Sequence, residues 1–385
     1  MAEPRMLRAM GWNHPRGMGP AWAAAETYHL LNPDVVVLWD TRPLGDFEAF
    51  PISQLAKAYD VILFDHPFTG DAADGRWLLP LDEWMEGSQL DAVRHNAIGR
   101  TFASYWWNGH QWGLPVDAAA QVMAAGAEDA GDLDVRWHLL WRWASSGRSE
   151  PPTGLAVPDH PVHALMLFLA LCHRLAGDGF WSRSGIDPVV GETAWAALAR
   201  LWALSSRHEG SLDPIALMQS LGDSGRGFAP WVFGYVQYAR TGCAKTAVTF
   251  RGLAPDPDGG GIGSVLGGVG IGVSAFSSSR AAAVRFAAYL ASPSVQQGLV
   301  LRTGGQPAAR AAWIGAASPA FFRDTRITVE AAFVRPRGPG YPAFQAAAAQ
   351  AVRQGLDEVI SPRARLTALN RLYRKHTKEA NHDES

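Results

Sequence analysis

A chain of 385 residues is about twice what one compact core organises, so two domains are expected, and 48% hydrophobic against 18% charged residues marks a globular protein. Lys plus Arg number 34 and Asp plus Glu 36, and a net charge of -2 without a dense basic run argues against nucleic acid as a partner. Two cysteines, Cys172 and Cys243, cannot build a disulfide framework, and no apolar stretch approaches the roughly 20 residues that span a bilayer.

Met6 to Met10 predicts an opening strand and Pro20 to Leu31 a helix. Asp34 to Trp39 (DVVVLW) and Tyr59 to Phe64 (YDVILF) are β-branched runs of the kind buried on both faces of a parallel sheet, with a helical stretch between them. The order β-α-β-α-β places a ligand crevice outside the carboxyl ends of these strands. Each strand runs directly into functional side chains: Trp12-Asn13-His14-Pro15-Arg16, then Trp39-Asp40-Thr41-Arg42, then Asp65-His66-Pro67. Turns need only Gly, Asn, Ser and Pro, so a rim carrying Trp, His, Asp and Arg points to binding.

In the middle of the chain, Pro161 to Leu175 and Glu192 to Ser206 read as helices, with Trp195, Leu198, Leu201 and Trp202 on a core face. Aromatic residues crowd at Phe180-Trp181 and in Phe228 to Tyr238 (FAPWVFGYVQY), where Gly and Pro interrupt any period; these segments read as loops and helix starts with exposed rings. Asp256 to Gly272 is rich in Gly and Pro and leads to a helix over Arg280 to Ala291, capped by Ser278 or Ser279. Phe344 to Ile360 predicts a helix, and Ser361-Pro362 opens a last one to about His376. Lys378 to Ser385 reads as a disordered tail.

Signatures of covalent chemistry are incomplete. Gly270-Ile-Gly272-Val-Ser-Ala275 matches a dinucleotide fingerprint, but no Asp or Glu lies between Asp258 and Asp324 to hold the ribose. Lys245-Thr246 follows Ala244 and not glycine, which removes a phosphate-binding loop. Gly222-Asp-Ser224-Gly225 reads as a turn, no G-x-S-x-G elbow is present, and His160 with His163 lacks further ligands. The expectation is therefore no metal, no cofactor and no catalysis.

Gly267 to Ser277 (GGVGIGVSAFS), Ala281 to Ser292 (AAAVRFAAYLAS), Pro293 to Gln297, Thr303 to Pro307 and Ala311 to Trp313 carry a resemblance. In these segments the chain resembles the extracellular solute-binding proteins of ABC importers, of the sugar type that includes maltodextrin-binding proteins. Gly11 to Gly17 and Asp65 to Pro67 are similar to a less studied branch. The resemblance implies an α/β, two-lobe periplasmic-binding-protein-like fold (type II), each lobe a mainly parallel sheet flanked by helices. The chain would cross between lobes at Gly113 to Asp117 and at Gly267 to Gly270, where Gly and Pro suit a hinge. Lobe I would comprise 1–112 plus 271–308, and lobe II 113–270 plus 309–377. It implies a monomer, periplasmic or extracellular, that captures a small polar solute (a sugar, sugar acid or related organic acid) and delivers it to membrane permease subunits. The chain opens without a signal sequence, which leaves a cytoplasmic binding module open as an alternative. A hydrolase or lyase using Asp65 and His66 as base and acid is the other.

On this reading Trp12, Trp39, Trp181, Trp231, Tyr235 and Tyr341 offer apolar faces to the solute, and Asp40, Asp65 and Asp117 accept hydrogen bonds from it. Arg16, Arg335, His14 and His66 donate, and paired arginines favour a carboxylate or phosphate. The loops after the first and third strands are expected to form one wall, with Trp12, His14, Asp65 and His66 facing Trp181 and Trp231.

Overall fold

The apolar runs near the start of the chain form β1 (Arg5–Trp12), β2 (Val35–Arg42) and β3 (Val61–Phe64), with the helix Pro15–Leu31 between the first two. The structure, a computed structural model, describes residues 4–148, 150, 153–205, 212–255, 260–315, 318–358 and 360–377. Further along, Trp106–Trp107 (β4) and His110–Gln111 (β5) make a small hairpin that leads into the long strand β6, Leu114–Ala125. Trp181–Ser182 (β7) and Gly185–Ile186 (β8) make a second hairpin, and Phe228–Phe233 (β9), Thr249–Arg251 (β10) and Leu266–Val273 (β11) complete the set.

The main sheet runs β10-β6-β11-β3-β1-β2, with β9 also pairing β6. As the sequence predicts, β1 pairs in parallel with both β2 and β3. The remaining pairs of this sheet are antiparallel, so it is a mixed sheet with parallel pairing confined to β1, β2 and β3, where a mainly parallel sheet in each lobe was expected. All 12 residues of β6 are buried. Its first part, Leu114 and Val116, packs into a core with Leu7, Val61 and Phe286, whereas Ala118, Ala120, Val122 and Ala124 pack with Val232, Phe250 and Phe322. The same division runs along β11: Val269, Ile271 and Val273 belong to the first core and Leu266 to the second. Register shifts between Val269 and Gly270, where the sheet passes from one core to the other. Two strands thus serve two cores, which is the two-lobe arrangement.

Helices flank each half. Pro161–Ala176 is buried continuously from His163 to Arg174, hemmed in by Pro188–Leu204 and Tyr341–Gly355. The predicted core residues Trp195, Leu198, Leu201 and Trp202 are all buried. That helix starts earlier than its apolar period suggests, at Pro188, because Asp187 accepts hydrogen bonds from the Val189 and Val190 N–H groups and Pro188 occupies the first turn. The helix Arg280–Ala291 matches expectation, with Ser279 in the capping position. The helix expected from Phe344 runs over Tyr341–Gly355, and Ser361 caps Pro362–His376 through the Ala364 N–H. Ser206, residues 256–259 and residues 378–385, which carry parts of the sequence expectations, lie outside the described residues.

The expectation of exposed rings is corrected at both aromatic segments: Phe180 is fully buried and Trp181, in β7, is half-buried. Phe228 to Phe233 is not a loop with exposed rings but strand β9, zipped antiparallel onto β6. At its start β9 lies beside Ala124 and Ala125, and the small Ala125 opposite Phe228 leaves room for that ring. Pro and Gly obscure the strand in the sequence, and Trp231 takes a left-handed φ of 57° where the β6–β9 register breaks.

Candidate functional site

A cleft lies between the two cores. Trp12, Phe47 and Val269 wall it on one side, and Met166, Phe233 and Tyr235 on the other. Its internal space is about 60 Å³, room for roughly four to six waters at about 10–15 Å³ each.

Trp12 ends β1, and its ring packs on Phe47 with centroids 5.4 Å apart. Gly17, one turn into the next helix, leaves the space that this ring fills, since a Cβ there would fall within the indole. His14 caps that helix: its Nδ1 accepts from the Arg16 N–H at 3.1 Å, and its ring meets Tyr235 edge-on at 4.9 Å. A capping nitrogen must keep its lone pair, and burial, with the Arg16 charge second, lowers this histidine to about 4.

Two buried ion pairs occupy the cleft floor. Arg16 Nε donates to Asp117 Oδ2 at 2.9 Å and its Nη2 donates to Oδ1, a fork that ties the first helix to β6. Its Nη1 reaches the Gly234 carbonyl at 3.4 Å and its guanidinium lies 4.6 Å from the Tyr235 ring centre, both in the other half. Burial opposes the Arg16 charge, but Asp117 outweighs it and holds the guanidinium protonated.

Asp65 caps the turn after β3, accepting from the His66 N–H at 2.8 Å, while its Oδ2 accepts from Arg335 Nη2 at 2.6 Å. Arg335 Nη1 donates to Gln345 Oε1 at 2.9 Å. Burial alone would raise Asp65, yet Arg335 and His66 hold it down to about 2. His66 is lowered to about 4, first by burial and then by Arg335, although its Nδ1 lies 3.1 Å from Asp65. His163, on the opposite wall, is lowered to about 3 by burial and next by His160.

Of the residues singled out in the sequence, Trp12, Arg16, Asp65, Tyr235 and Arg335 line the cleft. His14, His66 and Asp117 stand directly behind them through the contacts above. The loops after β1 and β3 do meet in one wall, but they face Phe233, Tyr235 and Met166 and not Trp181 and Trp231. Trp231 is fully buried, donating from Nε1 to the Gly263 carbonyl at 2.9 Å and packing on Trp137; its left-handed φ sets it apart from Phe233. Trp181 and the fully buried Tyr341 pack on each other and on Phe344, where the last helix closes over the β7–β8 hairpin. Trp39 leans on Phe286 because the strand end tucks under a flanking helix, and Asp40 faces solvent near Arg8 at 3.5 Å.

The sequence reading did not single out Leu44, Phe47, Met166, Phe233 and the Gly267-Gly268 backbone as cleft residues. Phe233 carried no separating signal, since it stands in the same aromatic run as Trp231, which is core. Gly268 has a φ of 118°, and a Cβ there would strike the Asp117 carbonyl, so this wall is backbone by necessity. Among the described residues no three His, Cys, Asp or Glu side chains converge as metal ligands.

No family model matches the chain, and no curated protein matches it. Solved structures do. The chain is similar to the GacH receptor of Streptomyces glaucescens, solved unliganded and with acarbose, at 18% identity over 98% of this chain and 99% of that one, with a TM-score of 0.72. It is similar to an ABC transporter solute-binding protein of Agrobacterium radiobacter in complex with ribitol (17% identity, 97% and 99% coverage, TM-score 0.76). Maltose-bound MalE3 of T. maritima gives 17% identity, 96% and 99% coverage and a TM-score of 0.75. With both lobes matched end to end, the chain has the two-lobe fold of the sugar-type solute-binding proteins of ABC importers.

Proposed function

We propose that the protein captures a small, neutral, polyhydroxylated solute, a sugar or polyol, in the interlobe cleft and delivers it to the permease of an ABC importer. The observation that carries this reading is the cancelled charge of the cleft. Each of its two guanidinium groups is already held by a buried carboxylate, Arg16 by Asp117 and Arg335 by Asp65. Its histidines are held neutral. A solute carboxylate or phosphate would have to displace a buried carboxylate, whereas hydroxyls can share the remaining hydrogen-bonding capacity. Trp12 Nε1 and Arg335 Nε are buried donors without a protein acceptor, and a solute oxygen would satisfy them. Trp12, Phe47 and Tyr235 supply ring faces for the apolar side of such a molecule.

The proteins of similar fold hold acarbose, ribitol and maltose. By analogy the protein works as a monomer outside the membrane, with lobe I over 1–112 plus 271–308 and lobe II over 113–270 plus 309–377. Acid–base catalysis by Asp65 and His66 is poorly supported, because groups lowered to about 2 and about 4 are mismatched to proton transfer near neutral pH. Titration calorimetry and thermal shift across neutral sugars, polyols and sugar acids test the reading. A neutral compound should bind and, at 100-fold its Kd, add about 2.7 kcal/mol of stability. Binding confined to sugar acids would overturn it.

A further inference from the structure

The last helix, Pro362–His376, is held by its inner face alone. Leu366 and Leu369 are buried, and Tyr373 packs on Trp181 and Phe344 with both centroid distances 5.2 Å. Asn370 brackets Ile186 of β8, donating to its carbonyl at 2.8 Å and accepting from its N–H at 2.9 Å. The outer face carries Arg363, Arg371, Arg374 and Lys375, all exposed, with only Ala364, Thr367 and Ala368 between them. No Asp or Glu occurs from Pro362 to Thr377. Nearby acids are engaged elsewhere: Asp357 with Arg353 at 2.5 Å and Glu358 with Arg365 at 2.8 Å. Among the described residues none of the four outer cations has an ion pair.

Helix stability accounts for only part of this arrangement. Arg374 and Lys375 sit in the last turn, where the helix dipole favours cations, but Arg363 sits in the first turn, where it opposes them. Four cations without an ion pair among the described residues follow one stripe about 18 Å long, on a protein whose net charge is -2. The stripe has no aromatic ring or amide for reading a base or a peptide, and small side chains keep it level. A delocalised sheet of negative charge matches it without needing shape complementarity.

We propose that the outward face of the helix Pro362–His376 docks the protein on an anionic phospholipid surface. The contact is electrostatic and peripheral, made by Arg363, Arg371, Arg374 and Lys375, and it leaves the cleft residues untouched. Such docking would confine diffusion to the plane of a membrane.

Co-sedimentation of the full chain with vesicles of phosphatidylglycerol and phosphatidylcholine, against phosphatidylcholine alone, tests the proposal. Binding should require the anionic lipid and vanish at high salt, as screening dictates. Each cation removed should lower partitioning about fivefold. The combined variant Arg363→Gln, Arg371→Gln, Arg374→Gln, Lys375→Gln should therefore lose about two to three orders of magnitude while keeping its circular dichroism and melting temperature. Equal binding to both vesicle types, undiminished binding by a folded quadruple variant, or no binding to the anionic vesicles would overturn it. So would retention on heparin or duplex DNA without vesicle binding, which would make the partner a soluble polyanion.

Discussion

Asp65 joins two tasks in one carboxylate: one oxygen caps the turn after β3 and the other receives Arg335 from a segment 270 residues away. Asp65→Asn keeps a cap but leaves the Arg335 guanidinium buried without a counter-charge, which costs about 3–5 kcal/mol. A urea titration should show that loss, and a paired Asp65→Leu, Arg335→Met variant should recover much of it, because removing both charges removes the desolvation cost as well. The two tryptophans Trp12 and Trp231 divide function from packing. Trp12→Ala should lower solute affinity about a hundredfold by removing a cleft face. Trp231→Ala should cost about 3–5 kcal/mol of stability with affinity unchanged in the molecules that fold, and calorimetry beside denaturation separates the two. The sequence marks Trp12 because it sits in a rim segment with His14 and Arg16. It cannot separate Trp231 from Phe233, since the left-handed turn that buries one and leaves the other on the cleft wall is set by pairing with β6.

The elements that carry the cleft are tuned by protonation. His14 at its cap, His66 in the turn after β3 and His163 in the helix Pro161–Ala176 are lowered to about 4, about 4 and about 3, with burial the first cause of each. An unfolded chain takes up protons on these groups near pH 6.5, while the folded chain does not until well below pH 5. Their contribution is therefore full above pH 6.5 and falls as pH is lowered toward 4. For His66 alone the loss at pH 5 is roughly 2 kcal/mol, each pKa unit being about 1.4 kcal/mol. Asp65 adds a second loss at lower pH, present above its unfolded value and gone as pH falls through about 2. Urea midpoints at pH 7, 6 and 5 should decline in that order. Element identity was legible where the pattern is local: Arg280–Ala291 is an alanine-rich amphipathic run and reads directly as a helix. β9 was illegible because its conformation comes from a partner more than a hundred residues earlier in the chain, as the 110-residue separation of Gln121 and Trp231 shows.

At the scale of the whole molecule, a solute held in the interlobe cleft as proposed should draw the two lobes together about β6 and β11. Small-angle scattering should show a smaller radius of gyration with saturating solute than without it. An unchanged radius, with binding verified by calorimetry, would place the solute outside the cleft. The two-lobe architecture was legible through the resemblance carried by segments such as Gly267 to Ser277 and Ala281 to Ser292, not through composition or periodicity. The antiparallel pairing of β6, β9, β10 and β11 was not legible, because strand direction there depends on how β6 enters that half of the sheet and not on residue pattern.

The interleaving of the two crossing strands also governs when the molecule can form. β3, made early, finds its second neighbour only in β11, and Ser274 beside that pairing bonds Ala56 across 218 residues. During synthesis the first lobe therefore waits, with one edge of β3 uncovered, until nearly three quarters of the chain has emerged. Late completion favours any route that needs the polypeptide in extended form, threading through a narrow translocation channel included.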